Sequence, residues 1–279
     1  MDTLIKFALY SLFAYALLIL IGFLMQRRML YFPEVKAPSP AFLQAYGLEP
    51  WPGGDDPVRG YTAIEKRAQR KGTVVVFHGN AGAAYHRDYY IKVLEPLGYR
   101  VLLAEYPGYG GRSGELSEQS FIADGSETVR RARGQFGNPV YLAGESMGCA
   151  VATGVAAAAA VHPEIGIRGI ALFTPWDTLP DLAQSIYWFL PVRTLLRDRY
   201  DNIGNLEKFP GPVAVIVAQQ DRVVPVERGL TLYRILEGPK RVWKLPSAGH
   251  NDWFGRIPAE QWQEIFDYLA GGNGASAEP

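Results

Sequence analysis

From residue 73 onward, short runs of β-branched and apolar residues alternate with longer amphipathic or alanine-rich stretches. Short continuous apolar runs suit strands buried on both faces, and the longer stretches between them suit helices that lie against a sheet. The pattern predicts strands at 73–77, 100–105, 140–143, 169–173, 213–218 and 241–245, with helices at 84–97, 118–136, 147–161, 226–236 and 258–270. Such alternation builds an α/β domain with a mostly parallel central sheet and helices on both faces. Residues 56–64 add an antiparallel strand ahead of the core. No internal repeat and no second domain interrupt the series.

One stretch does not fit the alternation. Residues 175–209 lie between two predicted strands and carry Trp176, Ile186, Tyr187, Trp188, Phe189, Leu190, Leu195 and Leu196. A connection of that length is either functional or has helices of its own. Its place over the carboxyl ends of the strands makes it a short helical cap, because ligands of open α/β sheets bind at that edge. As a cap it would bring Trp176, Trp188, Phe189 and Leu190 near the site. The alternative is that these side chains fill the core of the domain itself.

The hydrophobic pattern differs at the N-terminus, where 7–25 is a run of 19 residues without a charge. As a helix it covers about 28 Å, close to the roughly 30 Å hydrocarbon thickness of a bilayer. It predicts a single-pass membrane anchor over residues 1–28. A cleaved signal peptide would need small residues at the end of the run, and Met25-Gln26-Arg27-Arg28 stands there instead. Lys6 precedes the run, whereas Arg27, Arg28 and Lys36 follow it, so the positive-inside rule points to a cytoplasmic catalytic domain. Residues 29–54, whose later part is rich in Pro and Gly, predict a linker packed partly on the domain at 55–270. Residues 271–279 read as a flexible polar tail.

Charge narrows the function. Lys plus Arg and Asp plus Glu both number 28, so no basic field exists to gather nucleic acid. The single cysteine, Cys149, can build neither an internal disulfide nor a cysteine zinc site and reads as a small buried hydrophobe.

The chemistry is concentrated at the ends of the predicted strands. Gly144-Glu145-Ser146-Met147-Gly148 joins the strand at 140–143 to the helix at 147–161, the strand–turn–helix setting in which G-x-S-x-G presents a nucleophilic serine. Glycines flank Ser146 where a Cβ would clash with strand or helix. Among His78, His86, His162 and His250, only His250 follows the last predicted strand, as the order nucleophile, acid, histidine requires. The acid must lie between them at the end of a strand, which selects Asp221 after 213–218. Asp177 is the runner-up, and Asp252 lies too near His250 to reach its Nδ1. A buried carboxylate in that place fixes the imidazole tautomer and stabilises the imidazolium.

Phe77-His78-Gly79-Asn80-Ala81-Gly82 follows the first core strand, where small residues let the backbone approach a carbonyl oxygen. The main-chain N–H groups of Asn80 and Met147 are the candidate oxyanion hole, with neither side chain required. The loop Glu105-Tyr106-Pro107-Gly108-Tyr109-Gly110-Gly111-Arg112-Ser113-Gly114 lacks the G-K-[ST] of a phosphate cradle and reads as a turn beside the site.

Together these motifs resemble the Bem46-like branch of the α/β-hydrolase superfamily, with its ABHD13-like and ABHD17-like serine hydrolases. The matching residues are 78–82, Tyr106-Pro107-Gly108-Tyr109-Gly110, 144–148, Asp221 and Gly249-His250-Asn251-Asp252. The resemblance implies an α/β-hydrolase fold and a triad enzyme acting on esters or thioesters of small or lipid-like acyl substrates. It implies no cofactor and no metal. The narrower depalmitoylating activity of some relatives is not implied, because the chain lacks their cysteine-rich N-terminal segment. Two other readings compete: a prolyl-oligopeptidase-like peptidase, which shares the elbow, and a catalytically silent membrane-attached scaffold.

Overall fold

The computed structural model describes residues 2–64, 70–137, 139–162 and 165–271; the predicted tail from 272 onward lies outside them. Among the described residues the main sheet has eight strands: β1 (Leu48–Trp51), β2 (Gly60–Ala63), β3 (Gly72–Phe77), β4 (Tyr99–Ala104), β5 (Val140–Glu145), β6 (Ile167–Phe173), β7 (Val213–Ala218) and β8 (Lys240–Leu245). Their order across the sheet is β1-β2-β4-β3-β5-β6-β7-β8. β1 and β2 pair antiparallel, as do β2 and β4, and every other pair is parallel.

The helices are α1 (Asp2–Leu30), α2 (Pro40–Ala45), α3 (Asp88–Leu94), α4 (Glu118–Phe136), α5 (Met147–Val161), α6 (Leu179–Ile186), α7 (Val192–Leu195), α8 (Asn202–Leu206), α9 (Val226–Ile235) and α10 (Ala259–Leu269). α4 begins where Ser117 accepts the N–H of Ser120 at 3.2 Å and stops at Gly137, which turns the chain with φ of 80°. The residues of β3 are buried throughout and split by period two between two cores. Val75 and Phe77 join Phe121 and Val129 of α4 and Val155 of α5, whereas Val74 and Val76 join Tyr90 of α3 and Trp262 and Phe266 of α10. A sheet covered on both faces needs such uninterrupted apolar strands.

Three features of the N-terminal half differ from the sequence reading. Residues 29–54 are not a plain linker. Leu48–Trp51 is the outermost strand of the main sheet, paired with Gly60–Ala63, and its Pro50 is tolerated because the strand lies at an edge. Phe32 and Pro33 pair with Ala81 and Gly82, and Tyr31 is buried among core aromatics. α1 also runs past the expected end of the anchor, to Leu30. It is long and apolar enough to cross a membrane.

The segment 175–209 folds as α6, α7 and α8 over the carboxyl edge of the sheet. Both expectations for its apolar side chains hold in part. Trp176, Leu179, Leu182, Leu206 and Phe209 join the core, and the stretch from Leu190 to Leu196 faces α1 across a cavity.

Candidate active site

At the end of β5 the chain makes a sharp turn into α5, and Ser146 occupies that turn with φ of 52° and ψ of −116°. L-residues seldom adopt such angles, so the surroundings must enforce them. The two glycines show how. A Cβ at Gly148 would stand 1.9 Å from the Phe77 carbonyl oxygen, and one at Gly144 would stand 2.4 Å from the Gly148 carbonyl oxygen. Strand and helix therefore approach closely only without those side chains. The Ser146 N–H donates to the Phe173 carbonyl at 2.9 Å, which fixes the turn to β6.

The three residues selected by chain order converge. Ser146 Oγ donates to His250 Nε2 at 2.9 Å, and His250 Nδ1 donates to Asp221 Oδ2 at 2.6 Å. The side chain of Asp221 is 2% exposed and that of His250 9%. The other Asp221 oxygen accepts the N–H groups of Val223 and Val224, each at 2.8 Å, so the carboxylate cannot rotate away. Two main-chain bonds, Gln219 N–H to Leu245 O and Gln220 N–H to Ala248 O, tie the acid loop to the histidine loop. Asp177, the runner-up, accepts from Arg228 and from its neighbour Thr178, and Asp252 caps Gly249 and pairs with Arg256.

Asn80 and Met147 line the same cavity as Ser146 and His250. As the first residue of α5, Met147 has an N–H with no carbonyl one turn back. The Asn80 side chain, not required for an oxyanion hole, makes a contact of its own: its Nδ2 donates to Leu30 O at 2.9 Å, at the end of α1.

Two buried acids that the motif reading passed over flank this loop. Glu145 accepts from Gly79 N–H at 3.0 Å, Arg87 Nε at 2.7 Å and Tyr89 OH at 2.6 Å. Burial works against its negative charge, but the Arg87 guanidinium and the hydrogen bonds from Tyr89 and Gly79 outweigh that and hold the carboxyl below its ordinary range. Glu105 accepts the Ala84 N–H at 3.0 Å and lies 3.1 Å from His78 Nε2. The one sequence signal for either was a carboxylate inside an otherwise apolar strand end. His86 stands in a 3-10 turn (Ala84–Arg87), and His162 follows α5.

Above the serine is a cavity of about 540 Å³, within the usual size of ligand sites. Leu179, Leu182 and Ile186 of the cap and Ile19 and Phe23 of α1 form its walls. Trp176 and Leu190 line it as expected, but Trp188 and Phe189 do not: they point away, 78% and 46% exposed. The contribution of α1 has no signature in a local sequence window, because it depends on contacts more than 150 positions apart.

An eight-strand order with one antiparallel edge, a strained serine between β5 and α5, and a cap after β6 is a constellation shared by a large group of proteins. The profile of the alpha/beta hydrolase fold matches residues 72–208. The chain has the α/β-hydrolase fold. An uncharacterized protein of Mycobacterium tuberculosis is 34% identical over 233 residues, covering 81% of each chain. Lysophosphatidylserine lipase ABHD12 of Mus musculus is 30% identical over 60% of this chain, and that match spans 46% of the relative's own length. Among solved structures, a Pyrococcus furiosus esterase superposes with a TM-score of 0.64 at 16% identity, covering 87% of this chain and 97% of the esterase. A Paleococcus ferrophilus monoacylglycerol lipase gives 0.53 at 18% identity, covering 74% and 96%. At these identities the structural neighbours establish the fold.

Proposed function

We propose that this α/β-hydrolase is a membrane-anchored serine esterase that cleaves carboxylic esters or thioesters of lipophilic acyl groups. The observation that carries the reading is the hydrogen-bonded series Ser146–His250–Asp221 at the floor of an apolar cavity. In this reading His250 Nε2 takes the Oγ proton as Ser146 attacks the acyl carbonyl. The N–H groups of Asn80 and Met147 hold the oxyanion of the tetrahedral intermediate. Its collapse expels the alcohol or thiol, protonated by His250, and leaves an acyl-serine. Water, deprotonated by the same imidazole, then releases the acid and restores Ser146. Asp221 holds the ring and offsets its positive charge throughout.

The apolar walls favour an acyl chain over a peptide backbone, whose amides would be buried there without partners. The lipase named among the relatives adds a candidate class, a single-chain glycerolipid or lysophospholipid. In this reading α1 (Asp2–Leu30) is the anchor, the hydrolase domain begins with the edge strand Leu48–Trp51 and carries its cap at 175–209, and the motifs support a Bem46-like relationship.

A fluorophosphonate probe tests the nucleophile. It should label the wild type and not Ser146→Ala, and p-nitrophenyl ester turnover should fall nearly to the uncatalysed rate. His250→Ala should lose almost as much, whereas His86→Ala and His162→Ala keep most activity. Labelling of Ser146→Ala, or equal loss from every histidine change, overturns the assignment.

A further inference from the structure

The chain has six tryptophans. Trp51, Trp176, Trp243, Trp253 and Trp262 are at most 5% exposed, whereas Trp188 is 78% exposed. It stands at the tip of the cap, between α6 and α7, beside Ile186 at 52%, Tyr187 at 37% and Phe189 at 46%. Four consecutive large apolar side chains held out in water are costly, and such a patch marks a surface that is covered by something. The cavity does not account for the pair at its apex, since neither Trp188 nor Phe189 lines it.

Contacts with α1 fix the level of this tip. Tyr15 OH donates to Phe189 O at 2.7 Å. Further along, the Arg197 guanidinium lies 5.0 Å from the Phe23 ring centroid, and Gln26 Nε2 donates to Leu195 O at 3.3 Å. Finally Arg27 Nε donates to Asp198 at 2.9 Å. The cap segment thus runs alongside the helix from its middle towards its C-terminal end. At 1.5 Å per residue, Tyr15 lies about 18 Å along the axis from Arg27, and half the hydrocarbon core is about 15 Å deep. With Arg27 and Arg28 at headgroup level, the level of Tyr15 and Phe189 falls well inside the acyl region, and helix tilt only lessens the depth. Arg193, Arg197 and Arg199 follow the tip, where the chain climbs back towards the headgroups and long basic side chains can snorkel.

We propose that residues 186–189 of the cap form a second membrane element, inserted into the leaflet beside α1, and that the cavity opens sideways into that leaflet. Ile19, Gly22 and Phe23 line the cavity at levels between Tyr15 and Gln26. A lipid acyl chain can therefore slide from the leaflet towards Ser146 without crossing water. The sideways entry rests on the hydrolase reading, and the insertion does not.

Two measurements on the full chain in phosphatidylcholine vesicles test this. With lipids brominated on their acyl chains, tryptophan emission of the wild type should be quenched, and most of the quenched component should be absent from Trp188→Phe. Because the other five indoles are buried, that difference reports Trp188. Equal quenching in both proteins, or quenching of Trp188 by aqueous iodide instead, overturns the insertion. In the second measurement, Trp188→Asp with Phe189→Asp should leave hydrolysis of a soluble short-chain p-nitrophenyl ester within about twofold. Hydrolysis of a long-chain monoacylglycerol presented in vesicles should fall at least tenfold. Equal retention of both activities overturns sideways entry. Bromolipid quenching of Trp188 in a wild type that hydrolyses neither ester would uphold the insertion and reject the hydrolase.

Discussion

Acyl-chain length gives the most direct measure of the cavity. Each methylene taken from water into an apolar site contributes at most about 0.8 kcal/mol, which corresponds to roughly fourfold in kcat/KM. The walls from Leu179, Leu182 and Ile186 on one side and Ile19 and Phe23 on the other are apolar, so the increment should apply along much of the cavity. Between acetate and octanoate lie six methylenes, or about 5 kcal/mol and up to ~4 × 10³-fold if every one is fully buried. A series of p-nitrophenyl esters, assayed below their aggregation limits with the full chain in detergent, should show kcat/KM rising steadily and then levelling. A chain lacking residues 1–24 separates the walls. It keeps Gln26 and the Arg27–Asp198 ion pair but loses Ile19, Gly22 and Phe23. Its acetate turnover should persist while the slope with length flattens. A wild-type kcat/KM that falls beyond butyrate would refute the lipophilic cavity and leave a short-chain esterase, and an unchanged slope after truncation would remove α1 from the site.

Two further outcomes follow from single hydrogen bonds. Asp221→Asn should preserve the fold and lower kcat by ~10⁴ by analogy with the serine-protease triad, since the imidazole loses the acceptor that sets its tautomer; a larger loss from Asp177→Asn would move the acid to the end of β6. Glu145→Gln breaks a buried charge pair with Arg87 and should cost about 3 kcal/mol, seen at pH 7 as a Tm lower by roughly 6 to 12 °C. The native Glu145 carboxyl is held below its ordinary value of 4.5, so its stabilisation is present above that value and is lost as pH falls through the lower native one. The Tm difference between wild type and Glu145→Gln should therefore narrow between about pH 5 and pH 3, and a gap constant over that range would remove Glu145 from the account.

Much of the domain was legible because local pattern and tertiary outcome agree in it. The helices at Glu118–Phe136 and Met147–Val161 and the strand at Val213–Ala218 begin and end where the sequence predicts. There a serine cap, a glycine stop or an unbroken apolar run leaves one local solution. The convergence of Asp221 and His250 on Ser146 was legible for a different reason: the three lie at successive strand ends, in the chain order that the elbow motif leads one to expect. β1 was not legible, since Leu48-Glu49-Pro50-Trp51 has neither a long apolar run nor full alternation. What makes it a strand is the exposed edge of Gly60–Ala63 beside it. The acceptor roles of Glu145 and Glu105 were equally hidden, because Arg87, Tyr89 and Ala84 reach them only after the loops have folded back.

α1 belongs to the cavity for a related reason. Asn80 is held from three directions: its carbonyl accepts Phe32 N–H at 2.9 Å and Tyr109 OH at 2.8 Å, and its Nδ2 donates to Leu30 O at 2.9 Å. Two of these partners belong to the residues that end α1 or follow it directly. The loop carrying the Asn80 N–H is thus braced internally by Glu145 through Gly79 and externally by the exit of α1. An oxyanion donor is effective only when it is already aimed at the place where charge develops. In the proposed mechanism that aim would be held by the end of α1, docked against the cap through Gln26 and Arg27. The proposed anchor is thereby also a wall of the cavity and a support for the proposed oxyanion donor, which a freely jointed tether could not be.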